Sequence, residues 1–199
     1  VALMADDPAL DLILGEPEPL DLGAVQMPFD DALLALRRAV RTEQIAPYIF
    51  PVISLNDRAL RFGSAVPRMR VKSEAVPLTE KQLQIAREDT LFPRLDALML
   101  SKCLEFLQQL PANSKLRAIF IPLSAQSLLS SATFPALVQT LEANGGLAEH
   151  VYLEFTQGAI SELGEAGLGN LRMLGKLGYC FCLKEVTDWE QYGGAPLLG

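Results

Sequence analysis

Apolar residues recur along this chain with two different spacings, and stretches of the two kinds alternate. A spacing of three to four residues predicts a helix, whereas alternation or a short continuous apolar run predicts a strand. The predicted helices run from Asp30 to Arg41, over 79–89, along the stripe from Leu95 to Leu110, from Thr133 to Asn144 and over 161–177. The five predicted strands cover 48–55, 60–70, 117–123, 150–157 and 179–183.

The order of these elements predicts the fold class. The first two strands are joined by the short turn Asn56-Asp57-Arg58, so they must run antiparallel. Helices and strands alternate from there on, which is typical of a largely parallel α/β sheet or barrel.

The segment His150 to Gln157 organises the chain. Its apolar residues and its flanking helices predict a parallel strand that is buried on both faces. In such folds the chemistry lies at the carboxyl ends of the strands, and Glu154 lies at that end of this strand.

Composition limits the classes of function. The net charge of −7 and a pI near 4.8 argue against DNA or RNA as a partner, because binding phosphates needs clustered lysine and arginine. No apolar run reaches the roughly 18 residues of a membrane span. The three cysteines, Cys103, Cys180 and Cys182, contain no CxxC pair, so we expect a reducing compartment and cysteines that pack as small apolar residues.

Residues 1–28 and residues 29–199 differ in character. The first segment carries Pro8, Pro17, Pro19 and several acids without a sustained period, so we expect a linker or arm. Residues 29–199 form the predicted domain. Because the chain starts at Val1 and stops at Gly199 without a closing element, we expect a piece of a longer protein, with the domain incomplete at its C-terminus.

Five stretches stand out at or near the predicted strands: 48–55, Ser64-Ala65-Val66-Pro67-Arg68, Ile121-Pro122-Leu123-Ser124, Glu154-Phe155-Thr156-Gln157 and Leu183-Lys184-Glu185-Val186. In order and spacing they are similar to the Gln-Pro-Ile-Val, Glu-Ala-Leu, Asn-Leu-Ser, Glu-Leu-Thr-Glu and Leu-Asp-Asp-Phe segments of the EAL domain, the fold of bacterial cyclic di-GMP phosphodiesterases. The resemblance covers about Leu33 to Trp189. It implies a TIM-like (β/α) barrel of the EAL type with an antiparallel first strand pair, whose C-terminal strands are missing here.

A narrower resemblance rests on Arg58, Phe62, the turn 123–128, Glu142-Ala143-Asn144 and Val186-Thr187-Asp188. In these residues the chain resembles the degenerate EAL domain of TipF-like flagellar assembly regulators. This resemblance implies a cytoplasmic domain of a membrane-anchored bacterial protein, anchored through a missing N-terminal region, with flagellar or other regulatory proteins as partners.

The resemblance also indicates which positions would hold the Mg or Mn ions of an active enzyme. Of these positions only Glu154 keeps the family residue, and the others hold Ser64, Pro122, Lys184 and Glu185. Hard cations need several converging oxygen ligands, so we expect no metal, no catalytic residue and no hydrolysis. We predict instead that Lys184 pairs with Glu154 and occupies the site electrostatically. Glu154 is interpreted either as a ligand contact or as a buried carboxylate paired with a cation.

Ligand binding does not require that metal. By resemblance, cyclic di-GMP would contact Arg68, Asp96, Phe50, Val66 and Glu154. Arg68 suits a phosphate through bidentate hydrogen bonds, or it forms a surface salt bridge. Phe50 stacks on guanine or fills the mouth of the barrel.

Three hypotheses follow for the function. The first is a catalytically inactive cyclic di-GMP receptor that acts through protein partners in flagellar assembly or motility. The second is a protein-interaction scaffold that no longer binds the nucleotide. The third is an active phosphodiesterase, which the four altered metal positions oppose.

Overall fold

The structure, a computed structural model, describes residues 29–71 and 74–188. The predicted arm at residues 1–28, as well as Trp189, therefore lies outside the described residues. The helices are α1 (Phe29–Arg41), α2 (Glu80–Glu88), α3 (Phe92–Gln109), α4 (Ala125–Leu129), α5 (Phe134–Ala143), α6 (Gln157–Ser161) and α7 (Gly164–Lys176), with a 3₁₀ turn at Gly145–His150. The strands are β1 (Ile45–Ile53), β2 (Leu60–Val71), β3 (Glu74–Pro77), β4 (Ala118–Pro122), β5 (Val151–Thr156) and β6 (Cys180–Lys184).

The strands form one sheet in the order β1-β2-β4-β5-β6. β1 lies antiparallel to β2, with Tyr48 opposite Val66. β2, β4, β5 and β6 are parallel neighbours, and Pro122 of β4 lies opposite Glu154 of β5. This arrangement confirms the predicted α/β order with an antiparallel first pair.

The sheet has one more strand than predicted. β3 pairs antiparallel with the end of β2, placing Pro77 opposite Arg68. Its four residues are too few to establish a period, and Pro77 at its end resembles a turn signal. The prediction of five strands was therefore wrong by this short strand.

One face of the sheet packs against the helices and forms the core. In β5, Val151, Leu153 and Phe155 are buried on this face, whereas Tyr152 and Glu154 are only partly buried on the other. The prediction that this strand is buried on both faces was therefore wrong, because Tyr152, Glu154 and Thr156 stay partly exposed on the second face.

The opposite face of the sheet, which we call the inner face, carries a row of aromatic side chains. The ring centroids of Phe62 and Phe120 are 5.5 Å apart, and those of Phe120 and Tyr152 are 5.3 Å apart. Cys180, the register partner of Tyr152, is exposed next to this row. The expected packing role holds for Cys103, which is fully buried, but it was wrong for Cys180.

The helix predicted over 161–177 is α7, which covers Gly164–Lys176, and the short α6 that precedes it was not predicted. α6 ends at Ser161 and α7 begins at Gly164, whose φ of +57° is a conformation that glycine adopts readily. The short α6 follows β5 directly, at the edge where functional groups are expected. In residues 29–71 and 74–188, no helix has both the length and the apolar character needed to cross a bilayer.

Candidate functional site

The carboxyl ends of the parallel strands open into a cleft of about 560 Å³. Its walls come from β2, α2, α3, the segments that follow β4 and β5, and the end of β6. The residues predicted as site residues that line the cleft are Val66, Asp96, Pro122, Glu154, Lys184 and Glu185.

An ion pair lies in the cleft. Lys184 Nζ is 2.9 Å from Glu154 Oε2, and the two side chains are 40% and 13% exposed. Glu154 is in register with Cys182, and Lys184 with Thr156, so the lysine reaches diagonally across β5 and β6 to the carboxylate. The predicted pairing of Lys184 with Glu154 is confirmed.

The residues at this site do not fit the Mg or Mn ions that the family resemblance implies. The side chain of Pro122 offers no ligand atom, and an ammonium lies against the one carboxylate that the resemblance retains. Within the described ranges, no three His, Cys, Asp or Glu side chains converge to hold a metal ion. A hard divalent cation needs several oxygens at one point, and this arrangement does not provide them.

Asp96 is buried and organises the wall of the cleft near α4. Its Oδ2 accepts hydrogen bonds from Ser124 N at 2.8 Å, Ser124 Oγ at 2.6 Å and Ser127 Oγ at 2.6 Å. Burial raises the pKa of Asp96 from 3.8 to about 6, although these hydrogen bonds act in the opposite direction. Asp96 therefore holds the first turn of α4 against α3, a role that the sequence did not predict.

The segment after β6 is held by Gln157, a residue that sequence reasoning did not select. Gln157 Oε1 accepts hydrogen bonds from Thr187 N at 2.6 Å and Asp188 N at 3.1 Å. Glu185, at the turn out of β6, has a φ of +54°. The sequence contained a signal, since Gln157 stands where the family's strand end has its second glutamate.

Three predicted residues lie outside the cleft lining: Phe50, Ser64 and Arg68. The Arg68 guanidinium carbon lies 3.9 Å from the centre of the Tyr48 ring, and Nη1 donates to the Ala75 carbonyl at 3.1 Å. The Phe50 ring packs edge-on against Tyr48, with centroids 4.8 Å apart. Ser64 is the register partner of Phe50 on β1 and of Phe120 on β4.

The second cation of the cleft, Arg87 on α2, was missed because it follows the ordinary polar face of an amphipathic helix. Its carbonyl accepts a hydrogen bond from Gln126 Nε2 at 2.7 Å, which ties α2 to α4. The described lining of the cleft contains two basic residues and four acidic ones: Arg87, Lys184, Asp96, Glu154, Glu162 and Glu185. An anionic ligand would therefore depend strongly on the two cations.

Comparison with known proteins identifies the family of this arrangement. The EAL domain profile matches residues 34–190. No curated protein matches the chain. The solved structures similar to it include two FimX EAL domains in complex with cyclic di-GMP. The one from Xanthomonas citri has a TM-score of 0.64 at 16% identity, covering 78% of this chain and 60% of that one. The one from Pseudomonas aeruginosa has a TM-score of 0.62 at 21% identity, covering 77% and 61%.

A third similar structure is the S helix-GGDEF-EAL part of Vibrio cholerae LapD, bound to cyclic di-GMP. Its TM-score is 0.66 at 11% identity, and the match covers 82% of this chain and 39% of that one. At such identities the likeness shows the fold alone. The chain spans about three fifths of the two FimX chains.

Proposed function

Because this chain belongs to the EAL domain family, we propose that it is a regulatory EAL domain that binds cyclic di-GMP without hydrolysing it. The observation that carries the proposal is the Lys184–Glu154 ion pair in the cleft. Metal-assisted hydrolysis needs a cation that activates water and polarises the phosphate. At these strand ends an ammonium is paired with the carboxylate, and an ammonium does not activate a water molecule in this way.

The proposed contacts to the nucleotide divide into two groups. Val66, Asp96 and Glu154 line the cleft, which supports their assignment. Arg68 and Phe50 stack around Tyr48 on the adjoining inner face. For Arg68 to reach a phosphate, its guanidinium would have to leave the Tyr48 ring and the Ala75 carbonyl.

The remaining features of the proposal rest on the narrower resemblance to TipF-like proteins. We propose flagellar or other regulatory proteins as partners and a cytoplasmic position, with any membrane anchor in a region outside this sequence. Residues 1–28 would serve as the linker to that region.

Titration calorimetry with cyclic di-GMP in the absence of divalent metal tests the receptor function. We expect binding by the wild-type protein, and we expect no hydrolysis product by chromatography after incubation with Mg²⁺ or Mn²⁺. An Arg68→Ala variant tests that contact separately, since loss of binding would place Arg68 on a phosphate. Product formation would instead indicate an active phosphodiesterase.

A nucleotide-independent interaction scaffold is the second candidate. It is favoured by the excess of acids over bases in the described cleft lining and by the engagement of Arg68 outside that lining. A folded wild-type protein that gives no heat with cyclic di-GMP would support this function over the receptor.

A further inference from the structure

The position of the Lys184 ammonium adds a role to this cleft. Lysine carries three N–H donors. In the part of the chain that the structure describes, Glu154 is the only carboxylate in ion-pair contact with Lys184. The side chain is 40% exposed and lines the cleft. Its ammonium is therefore anchored by one carboxylate and still accessible to a further acceptor.

An ammonium forms its strongest hydrogen bonds with anionic acceptors, and the charges around Lys184 restrict where such an anion can bind. The acids Glu154, Glu162 and Glu185 line the same cleft, so an anion is repelled unless a fixed cation faces it. Arg87 lies on α2, whereas Lys184 lies at the end of β6, among the strand ends. Lys184 is the cation placed where the family resemblance puts a metal.

We infer that Lys184 is a phosphate-binding residue that takes the place of the divalent cation, so that a phosphodiester anion binds here independently of metal. The inference rests on the proposed receptor function and adds a ligand contact to it. Glu154 then acts as a positioning residue that holds the ammonium at the strand ends. Charge-assisted hydrogen bonds of an ammonium to a phosphate oxygen are among the stronger polar contacts in proteins.

Calorimetry with cyclic di-GMP on the wild type and on Lys184→Met, each in EDTA and in Mg²⁺, tests the inference. We expect the wild-type Kd to be the same in both buffers, and the variant to bind about tenfold or more weakly in both, as for the loss of a hydrogen bond to a charged group. Lys184→Arg keeps the positive charge, so we expect it to retain most of the affinity.

Two variants control for indirect effects. Lys176→Met removes a lysine from the far end of α7 and is expected to bind like the wild type. The double variant Glu154→Gln/Lys184→Met also removes the carboxylate that Lys184→Met leaves without its ammonium partner, and it should bind as weakly as Lys184→Met. Circular dichroism melts show whether each variant is folded.

The outcomes separate this inference from the receptor function. Wild-type affinity that rises in Mg²⁺, or a folded Lys184→Met that binds as tightly as the wild type, would overturn the role of Lys184 and leave the receptor intact. A folded wild type without any binding would overturn the receptor function, and the phosphate contact with it.

Discussion

Two carboxylates in the cleft have different roles because their surroundings differ. Asp96 is buried and receives its hydrogen bonds from serine groups, with no cation beside it in the described structure. Glu154 faces the cleft and is balanced by the Lys184 ammonium. Residue type alone does not distinguish these roles, since burial penalises the charged form of one and a cation stabilises the charge of the other.

The raised pKa of Asp96 predicts a pH dependence of stability. Burial raises the pKa to about 6 from 3.8, so the folded protein holds this proton more tightly than the unfolded chain. The resulting stabilisation is fully present below pH about 3.8 and is lost as the pH rises through about 6. The change amounts to about 3 kcal/mol. Urea denaturation of wild type and Asp96→Asn between pH 3.5 and 7 (about the range of both pKa values) measures it.

The comparison with Asp96→Asn isolates this group from the other acids. We expect the free energy of unfolding of the wild type, relative to that of Asp96→Asn, to decline as the pH rises from 3.5 to 7 (about the range of both pKa values). Glu105→Gln, on the exposed face of α3, should give a curve parallel to that of the wild type. Parallel curves for wild type and Asp96→Asn would contradict the assignment of a raised pKa to Asp96.

At the scale of elements, replacing two glycines of α7 by alanine should have opposite effects on stability. A Cβ on Gly167 would lie 2.8 Å from Leu163 Cβ and 3.1 Å from Leu129 Cδ2, whereas one on Gly169 would meet no atom within 4 Å. We expect Gly167→Ala to destabilise the protein by about 1–3 kcal/mol through overpacking against Leu163 and Leu129. Gly169→Ala should stabilise it by up to about 1 kcal/mol, because alanine favours the helix. The denaturant midpoints of the two variants, compared with that of the wild type, test both expectations. Equal shifts of the two midpoints would contradict the close packing around Gly167.

The segment after β6 gives a second prediction at this scale. Gln157→Ala removes the acceptor for the Thr187 and Asp188 amides. Their hydrogen exchange should become about fivefold to tenfold faster, since a net hydrogen bond contributes about 1 kcal/mol. Gln84→Ala, on the exposed face of α2, should leave both rates unchanged. Unaltered protection in Gln157→Ala would mean that the segment is held by other contacts.

At the scale of the whole molecule, the fold is stabilised mainly by the packing of the sheet against the helices. Phe155 is buried on the helix-facing side of β5, and Tyr152 is partly exposed on the inner side. Phe155→Ala should cost about 3–5 kcal/mol. Tyr152→Ala should cost about 1–2 kcal/mol, because it removes less buried area together with the aromatic contacts to Phe62 and Phe120. If the two variants lost similar amounts of unfolding free energy, the inner face would contribute as much to the core as the helix-facing side, contrary to this prediction.

The sequence predicted more of the fold than of the contacts in the candidate site. Apolar spacing located most of the helices and strands, since a one-sided core imposes those periods directly. It missed β3, α4 and α6, which have only four or five residues each, too few for a period to develop. The family resemblance predicted six of the residues that line the cleft, but it did not predict the stacking of Arg68 on Tyr48.

The sequence by itself determined the alternating α/β order, the EAL family and the chemical identity of the residues at each strand end. Those properties depend on local pattern and residue type. Only the tertiary structure decided that Asp96 holds the start of α4, that Gln157 holds the segment after β6 and that Arg68 stacks on Tyr48. Contacts of this kind join residues from different elements, and their geometry is set by strand register and helix packing rather than by spacing along the chain.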